Sequence, residues 1–350
     1  MKIAVILPKL VSQAPILVAK DLIDQIKNKV SLIDIYYFEG VDEVGFDCDC
    51  YKIPFLKPID FDKYDIIHSH MMRPDLYIWK HRKHIKKAKC VSTLHNDIFK
   101  VLRSTYNFFT SFIAYKLWLR ALRHQDCVVV LSENMKHQYS SRLNKSKMQA
   151  IYNGRKLSSR LIEQIDSDDD KIINKIKLKF KIIGVSARLN KIKGFSQLVE
   201  SLVHLKDFSL VFVGDGDEKE NLVSLATRLG VKDRCFFLGY RKDGYRYLAY
   251  FDVYAMTSYS EGFPLGLLEA GQFKLPVVCS NLPIFKELFN ESEVAFFELD
   301  NIKSLAVAIG VLYKNRDAFS EKIFQKVTQD YSVENMAKKY LSLYEKMQIS

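Results

Sequence analysis

The sequence predicts an α/β protein built from two doubly wound parallel sheets. Three observations carry that expectation. Short apolar runs alternate with helical stretches along almost the whole chain, the pattern of a sheet covered by helices on both faces. Many of these runs end in polar or glycine residues, as strands do where ligands gather at their carboxyl ends. The length, 350 residues, exceeds what one compact core holds and matches two domains of ordinary size.

Taken in order, Ile3–Leu7 reads as a buried first strand, Ile16–Lys27 as a helix and Leu32–Phe38 as the second strand. The runs 65–70, 90–95 and 126–131 follow as strands. They place His70, His95 and Ser132 at carboxyl ends. His68 and His70, two apart on a strand, share a face. A metal or proton-shuttle role and a plain hydrogen-bonded strand end both remain open for them. Asn153-Gly154 is a turn pair that closes the first domain at 155. The polar segment 163–179, with Asp166-Ser167-Asp168-Asp169-Asp170, reads as an unpacked inter-domain stretch. The second domain, 156–331, opens with the strand Ile182–Arg188 and continues through a helix to Leu205. Further runs at 210–217, 236–240, 252–256 and 275–280 read as strands, and 332–344 as a terminal helix with Ser332 as its cap.

Composition excludes several classes. No run approaches the eighteen or so apolar residues that cross a bilayer, and Met1–Pro8 is too short an apolar run for a signal peptide. Six scattered cysteines suit a reducing cytoplasm, and Cys48-Asp49-Cys50 has no second Cys/His pair at zinc spacing. The net charge of +12 is uneven. Residues 73–123 hold twelve Lys/Arg against Asp75 and Asp97 only, a field that attracts nucleic acid, anionic lipid or a phosphorylated acceptor. Within it, Lys116, Arg120 and Arg123 fall on one helical face, with Phe112, Tyr115, Leu119 and Leu122 available for an apolar one.

The most informative stretch is Glu261-Gly262-Phe263-Pro264-Leu265-Gly266-Leu267-Leu268-Glu269-Ala270. Gly262 and Pro264 break the preceding strand, and Leu265 onward are helix formers. The amides of Leu265, Gly266 and Leu267 are therefore expected to face outward as an anion-binding helix mouth. Glu269 lies one to two turns inside, and Glu261 hangs in the loop.

Glu261 and Glu269, seven residues apart, resemble the E-x7-E signature of retaining GT-B glycosyltransferases of the family 4 type. Other pieces match in order along nearly the whole chain. Arg188-Leu189 through Lys193-Gly194 resembles the family's R-L-x-x-x-K-G pattern, and Thr93-Leu94-His95 its strand-end histidine.

The resemblance implies two Rossmann-like domains facing a cleft, with the terminal helix 332–347 packing back on the first, acceptor-side domain. It implies transfer of a hexose or N-acetylhexosamine from a nucleoside diphosphate sugar, UDP ahead of GDP, to an acceptor hydroxyl with retention, without metal or other cofactor. Arg188 and Lys193 would stabilise the departing diphosphate; Glu261 and His95 would position the sugar. Glu269 would hold the ribose, and Gly262, Phe263, Pro264, Leu265 and Gly266 would line the donor. Gly214 and Gly216, in the Gly-Asp-Gly turn, and Gly239 with Tyr240 would lie beside the nucleotide.

Together with the basic stretch, the resemblance favours a lipid-linked acceptor in bacterial surface polysaccharide synthesis, met at the cytoplasmic face of the inner membrane, and no nucleic acid. Two other readings stay open: a GT-B sugar-nucleotide epimerase, and a non-catalytic binder of anionic lipid or nucleic acid. The loop Pro8–Pro15 departs from the family in having no glycine and is assigned nothing.

Overall fold

A computed structural model describes residues 1–103, 105–157 and 165–349. The chain divides into two compact units, Met1–Arg155 with Tyr331–Ser350, and Lys156–Asp330.

The first unit is a parallel sheet of seven strands. These are β1 (Lys2–Lys9), β2 (Leu32–Glu39), β3 (Asp49–Lys52), β4 (Ile66–His70), β5 (Lys89–Leu94), β6 (Cys127–Val130) and β7 (Met148–Ala150), in the spatial order β3-β2-β1-β4-β5-β6-β7. The second unit has six: β8 (Lys181–Ser186), β9 (Phe208–Val213), β10 (Cys235–Gly239), β11 (Val253–Met256), β12 (Val277–Ser280) and β13 (Ala295–Phe297), in the order β10-β9-β8-β11-β12-β13. All the strand pairs are parallel.

The central strands form because apolar residues on both pleat faces meet a helix layer; every residue of β4, β6, β9, β11 and β12 is buried. In each sheet the winding direction reverses once, between β1 and β4 and between β8 and β11. Such reversals splay the following loops apart and leave a crevice at the carboxyl ends of the strands.

Three strands were not legible in sequence. β3 is a largely exposed four-residue edge, and β7 and β13 have three residues each, too few for a periodic signal.

One expectation is overturned. The acidic run taken as unpacked begins the helix Ser167–Lys177, and the part of that segment before Ile165 lies outside the described residues. Asp166 caps the helix by accepting from the Asp168 and Asp169 amides at 3.0 and 3.3 Å, and the acids of the first turn face the positive end of the helix dipole. Asp169 is buried because the Arg241 guanidinium grips it with two bonds, 2.7 and 3.0 Å, and Tyr247 donates to it as well. Charge density alone misled because the partners lie more than seventy residues away.

The terminal helix, Val333–Ile349, belongs to the first unit. Its Tyr340 and Tyr344 are fully buried, and their hydroxyls bond Thr93 Oγ1 at 2.9 Å and His68 Nδ1 at 2.8 Å. All six cysteines are free.

Candidate active site

In the second unit the sequence-selected residues collect at the carboxyl ends of four neighbouring strands, around the reversal between β8 and β11. Arg188 stands two residues past β8. Its side chain is largely exposed and lies a loose 3.8 Å from Asp217, so it is free to swing onto an anion. The short turn Lys191–Lys193 follows, capped by Asn190, whose Oδ1 accepts from the Lys193 amide at 3.2 Å. Thr257, just past β11, fastens this turn by donating to the Lys193 carbonyl at 2.9 Å, and Gln197 Nε2 donates back to the Thr257 carbonyl at 3.1 Å. The loops on the two sides of the reversal are thus stitched together through backbone groups.

Lys193 Nζ lies 2.7 Å from Glu261 Oε1, and Ser258 Oγ donates to the same oxygen at 2.6 Å. The Glu261 side chain is only 10% exposed. The cation and the hydroxyl aimed at this enclosed carboxylate offset the loss of its contact with water.

Beyond Glu261, Gly262, Phe263 and Pro264 are buried, and Pro264 caps the helix Leu265–Gln272. The helix mouth differs in detail from the expectation. Leu265 N–H donates to the Phe263 carbonyl and Leu267 N–H to the Pro264 carbonyl, both at 3.0 Å. Of the three amides, Gly266 alone keeps an N–H without a partner among the described residues. The reason is a tight turn at Phe263-Pro264 that consumes two donors before the helix begins. Phe263 serves by packing, being 8% exposed, so an outside ligand meets only its backbone.

Beneath this start lies Tyr254 of β11, which sequence reasoning overlooked as one aromatic in an apolar run. Its phenol is buried and pushed well above its ordinary pKa, first by burial and then by the carboxylates of Glu269 and Glu261. The two acids of the signature therefore act on one hydroxyl. A Cβ at Gly266 would stand 2.5 Å from that oxygen, which explains the glycine.

Gly214, Gly216 and Gly239 crowd the ends of β8 to β10. Gly214 N–H donates to the Gly239 carbonyl at 2.8 Å. Gly214 has φ +147°, and a Cβ there would lie 1.9 Å from the Ala187 carbonyl oxygen, one residue before Arg188. Gly214→Ala is expected to lower stability by about 1–3 kcal/mol from backbone strain alone and to weaken nucleotide binding by displacing Ala187-Arg188. Thermal denaturation with and without nucleotide checks both. Tyr240 is 65% exposed, and its loop is held by Arg241, which bonds the Tyr240 carbonyl at 3.1 Å as well as Asp169.

In the first unit, His95 follows β5 and is 7% exposed. Its Nε2 lies 2.9 Å from Nδ1 of His70, at the end of β4. His68 Nε2 bonds Thr93 Oγ1 at 2.8 Å. Burial drives His68 and His95 down to about 3 and His70 well below its usual value, so all three rings are neutral near pH 7. Beside them Asp75 is buried, accepting from Ser69 Oγ at 2.6 Å and Trp118 Nε1 at 2.7 Å, and burial lifts it to about 6.

The basic stretch also departs from expectation. On the helix Phe108–Arg123, Trp118, Leu119 and Leu122 pack inward, while Phe109, at 80% exposure, and Ile113, at 60%, face out with Phe112, Leu117, Lys116 and Arg120. Ser104, within the stretch, lies outside the described residues. No helix among the described residues is long and apolar enough to cross a membrane, and no group of three His, Cys, Asp or Glu side chains among them is placed to hold a metal ion.

Comparison with known proteins decides the family. Residues 166–329 match the model for glycosyl transferases group 1, and residues 52–159 that for glycosyltransferase family 4. An O-antigen biosynthesis glycosyltransferase of Escherichia coli, WclY, is 31% identical over 98% of each chain. The chain is a GT-B glycosyltransferase of family 4.

The fold of this glycosyltransferase is that of HepE from Anabaena, crystallised with UDP and glucose. The match has a TM-score of 0.81 at 18% identity and covers 99% of this chain and 100% of that one. A second relative, 30% identical over 47% of this chain and 48% of its own, is the N-acetylgalactosamine-N,N'-diacetylbacillosaminyl-diphospho-undecaprenol 4-alpha-N-acetylgalactosaminyltransferase of Campylobacter jejuni.

Proposed function

We propose that this glycosyltransferase moves a hexose or N-acetylhexosamine from UDP to a hydroxyl of a lipid-linked glycan, with retention of configuration, in the synthesis of a bacterial surface polysaccharide. The observation that carries the reading is the convergence, at one sheet reversal, of Arg188, Lys193, Glu261, Glu269 and an open helix-start amide at Gly266.

Cations beside a helix mouth suit a diphosphate, and they act most strongly as charge builds on the leaving oxygen. In the reaction the acceptor hydroxyl attacks the anomeric carbon on the face from which the diphosphate departs. The C–O bond to the diphosphate breaks, and the acceptor proton passes to the leaving phosphate oxygen. No protein nucleophile is required. Arg188 and Lys193 stabilise the diphosphate, Glu269 holds the ribose, Gly214, Gly216, Gly239 and Tyr240 border the nucleotide, and Glu261 and His95 hold the sugar. The two cations supply the charge that a metal ion would otherwise bring, so the reaction is read as metal-independent.

The UDP donor is supported by the likeness to HepE, crystallised with UDP, and the pathway by the E. coli O-antigen relative. The lipid-linked acceptor is supported by the Campylobacter relative, named for a diphospho-undecaprenol substrate, and by the exposed Phe109-Ile113-Leu117 stripe beside Lys116 and Arg120. An amphipathic surface of that kind seats at the headgroup level of an anionic membrane, where each cation contributes on the order of 1 kcal/mol. Peripheral attachment to the cytoplasmic face follows, with the first unit on the acceptor side and the second on the donor side.

Thermal-shift titration is expected to show selective stabilisation by UDP over GDP and ADP, growing with the logarithm of concentration over affinity. Glu269→Ala should weaken the stabilisation by UDP and abolish transferase turnover, whereas EDTA should leave the parent rate unchanged. Undiminished turnover in Glu269→Ala, or equal stabilisation by all three nucleotides, would sink the reading.

A further inference from the structure

The motif His68-Ser69-His70 finds no role in the reaction as described, yet its rings form a buried line that leads to His95. His68 is fixed on both sides, by Tyr344 at Nδ1 and Thr93 at Nε2. His70 lies tilted against it with ring centroids 4.3 Å apart and reaches His95 through Nδ1. The other nitrogen of His70, Nε2, is buried and has no partner among the described residues. Immediately after His70 the backbone of Met71 takes φ +73° and ψ 172°, a conformation otherwise kept for glycine. Strain of that kind persists only where the surroundings over-determine it, and here it fixes the end of β4 that carries His70.

We propose that His70 is a positioning residue that sets the tautomer of His95, so that His95 presents an Nδ1–H donor to a substrate hydroxyl and not a basic nitrogen. The reasoning is a count of donors. One proton must lie in the 2.9 Å contact between His70 Nδ1 and His95 Nε2. If His95 supplied it, His70 would carry its own proton on Nε2, a buried N–H with nothing to receive it. Orphaned buried donors are rarer than under-used acceptors, and each costs the desolvation of the group. If His70 supplies it from Nδ1, its Nε2 is left as a bare acceptor and the orphan donor disappears. His95 Nε2 then accepts, and its single proton sits on Nδ1, for which no partner stands among the described residues.

Facing a sugar, an N–H donor binds a hydroxyl oxygen and takes up no proton. That agrees with a reaction in which the leaving phosphate accepts the proton. The inference rests on the reading of His95 as a sugar contact.

Two measurements test it. In the parent protein, 15N–1H correlation of the imidazole nitrogens should show His95 protonated at Nδ1 and bare at Nε2; the reverse assignment overturns the proposal. His70→Asn keeps an N–H donor near the position of Nδ1 and should retain kcat within about threefold. His70→Leu removes it and should lower kcat about ten- to hundredfold, less than the loss when a catalytic base is held in the wrong tautomer, with the UDP dissociation constant unchanged. Equal rates in the Leu and Asn variants would overturn the proposal, as would a lost UDP affinity in a folded His70→Leu protein. Should His70→Leu fail to fold, the tautomer assignment in the parent decides. Full activity in His95→Ala with the expected tautomer in the parent would instead remove the sugar-contact reading and leave the His70 assignment standing.

Discussion

Replacing Lys193 by alanine is expected to lower kcat/KM by about 10²–10³-fold, the loss typical of one preorganised charge-stabilising donor. The expectation comes from where the ammonium is held. Its backbone is fixed by the Asn190 cap and by Thr257, and its Nζ is aimed by Glu261 at 2.7 Å, so little reorganisation remains when charge develops on a leaving diphosphate. Arg188, largely exposed and only 3.8 Å from its acidic neighbour, is less preorganised, and Arg188→Ala should cost less in kcat and more in KM.

The Lys193 substitution also strands Glu261. With its side chain 10% exposed and only Ser258 left on Oε1, that carboxylate loses a charged hydrogen bond worth about 1.5–3 kcal/mol. A fall in thermal stability should therefore accompany the fall in rate, and a further Glu261→Gln change should return part of the stability but none of the activity. Initial rates, calorimetry and a circular dichroism spectrum separate the two effects. A folded Lys193→Ala enzyme working within threefold of the parent would remove Lys193 from the chemistry.

Acid should unfold the protein steeply, with a slope of about 3 kcal/mol per pH unit between pH 6 and 4 from four buried groups alone. His68, His70 and His95 are held below their unfolded value of 6.5 by burial, with like-charge repulsion adding for His68 and His70. As pH falls below 6.5 the unfolded chain takes up three protons that the folded one refuses, and stability drops. Asp75 works the other way. Burial raises it from 3.8 to about 6, so below pH 6 the folded protein holds a proton that the unfolded chain still releases. One proton offsets three and leaves a net uptake of two on unfolding. Urea denaturation at pH 7, 6 and 5 gives the slope directly, and Asp75→Asn should steepen it by one proton. A stability that stays flat over this range would mean that the histidine line is hydrated.

The E-x7-E and R-L-x-x-x-K-G spacings were legible because each lies within one loop and its flanking strand or helix, where local geometry fixes which groups share a face. Likewise the central strands showed themselves as continuous apolar runs, since a strand buried on both faces needs nothing else. The edge strands β3, β7 and β13 were not legible, because pairing on one side and partial exposure remove the periodic signal.

Partnerships across long separations were equally hidden. Nothing in the acidic run 166–170 announces Arg241. Nothing in an apolar strand marks Tyr254 as the hydroxyl that feels both glutamates, and nothing in His68-Ser69-His70 tells that a helix more than 270 residues later closes over it. By itself the sequence determined the family, the two-sheet fold and the identity of the charged groups, all of which are written in local spacing. Only the tertiary structure decided which helix-start amide stays open, which face of the basic helix looks outward and which histidine nitrogens meet. Those depend on hydrogen-bond partners and burial, which exist only once the chain has folded.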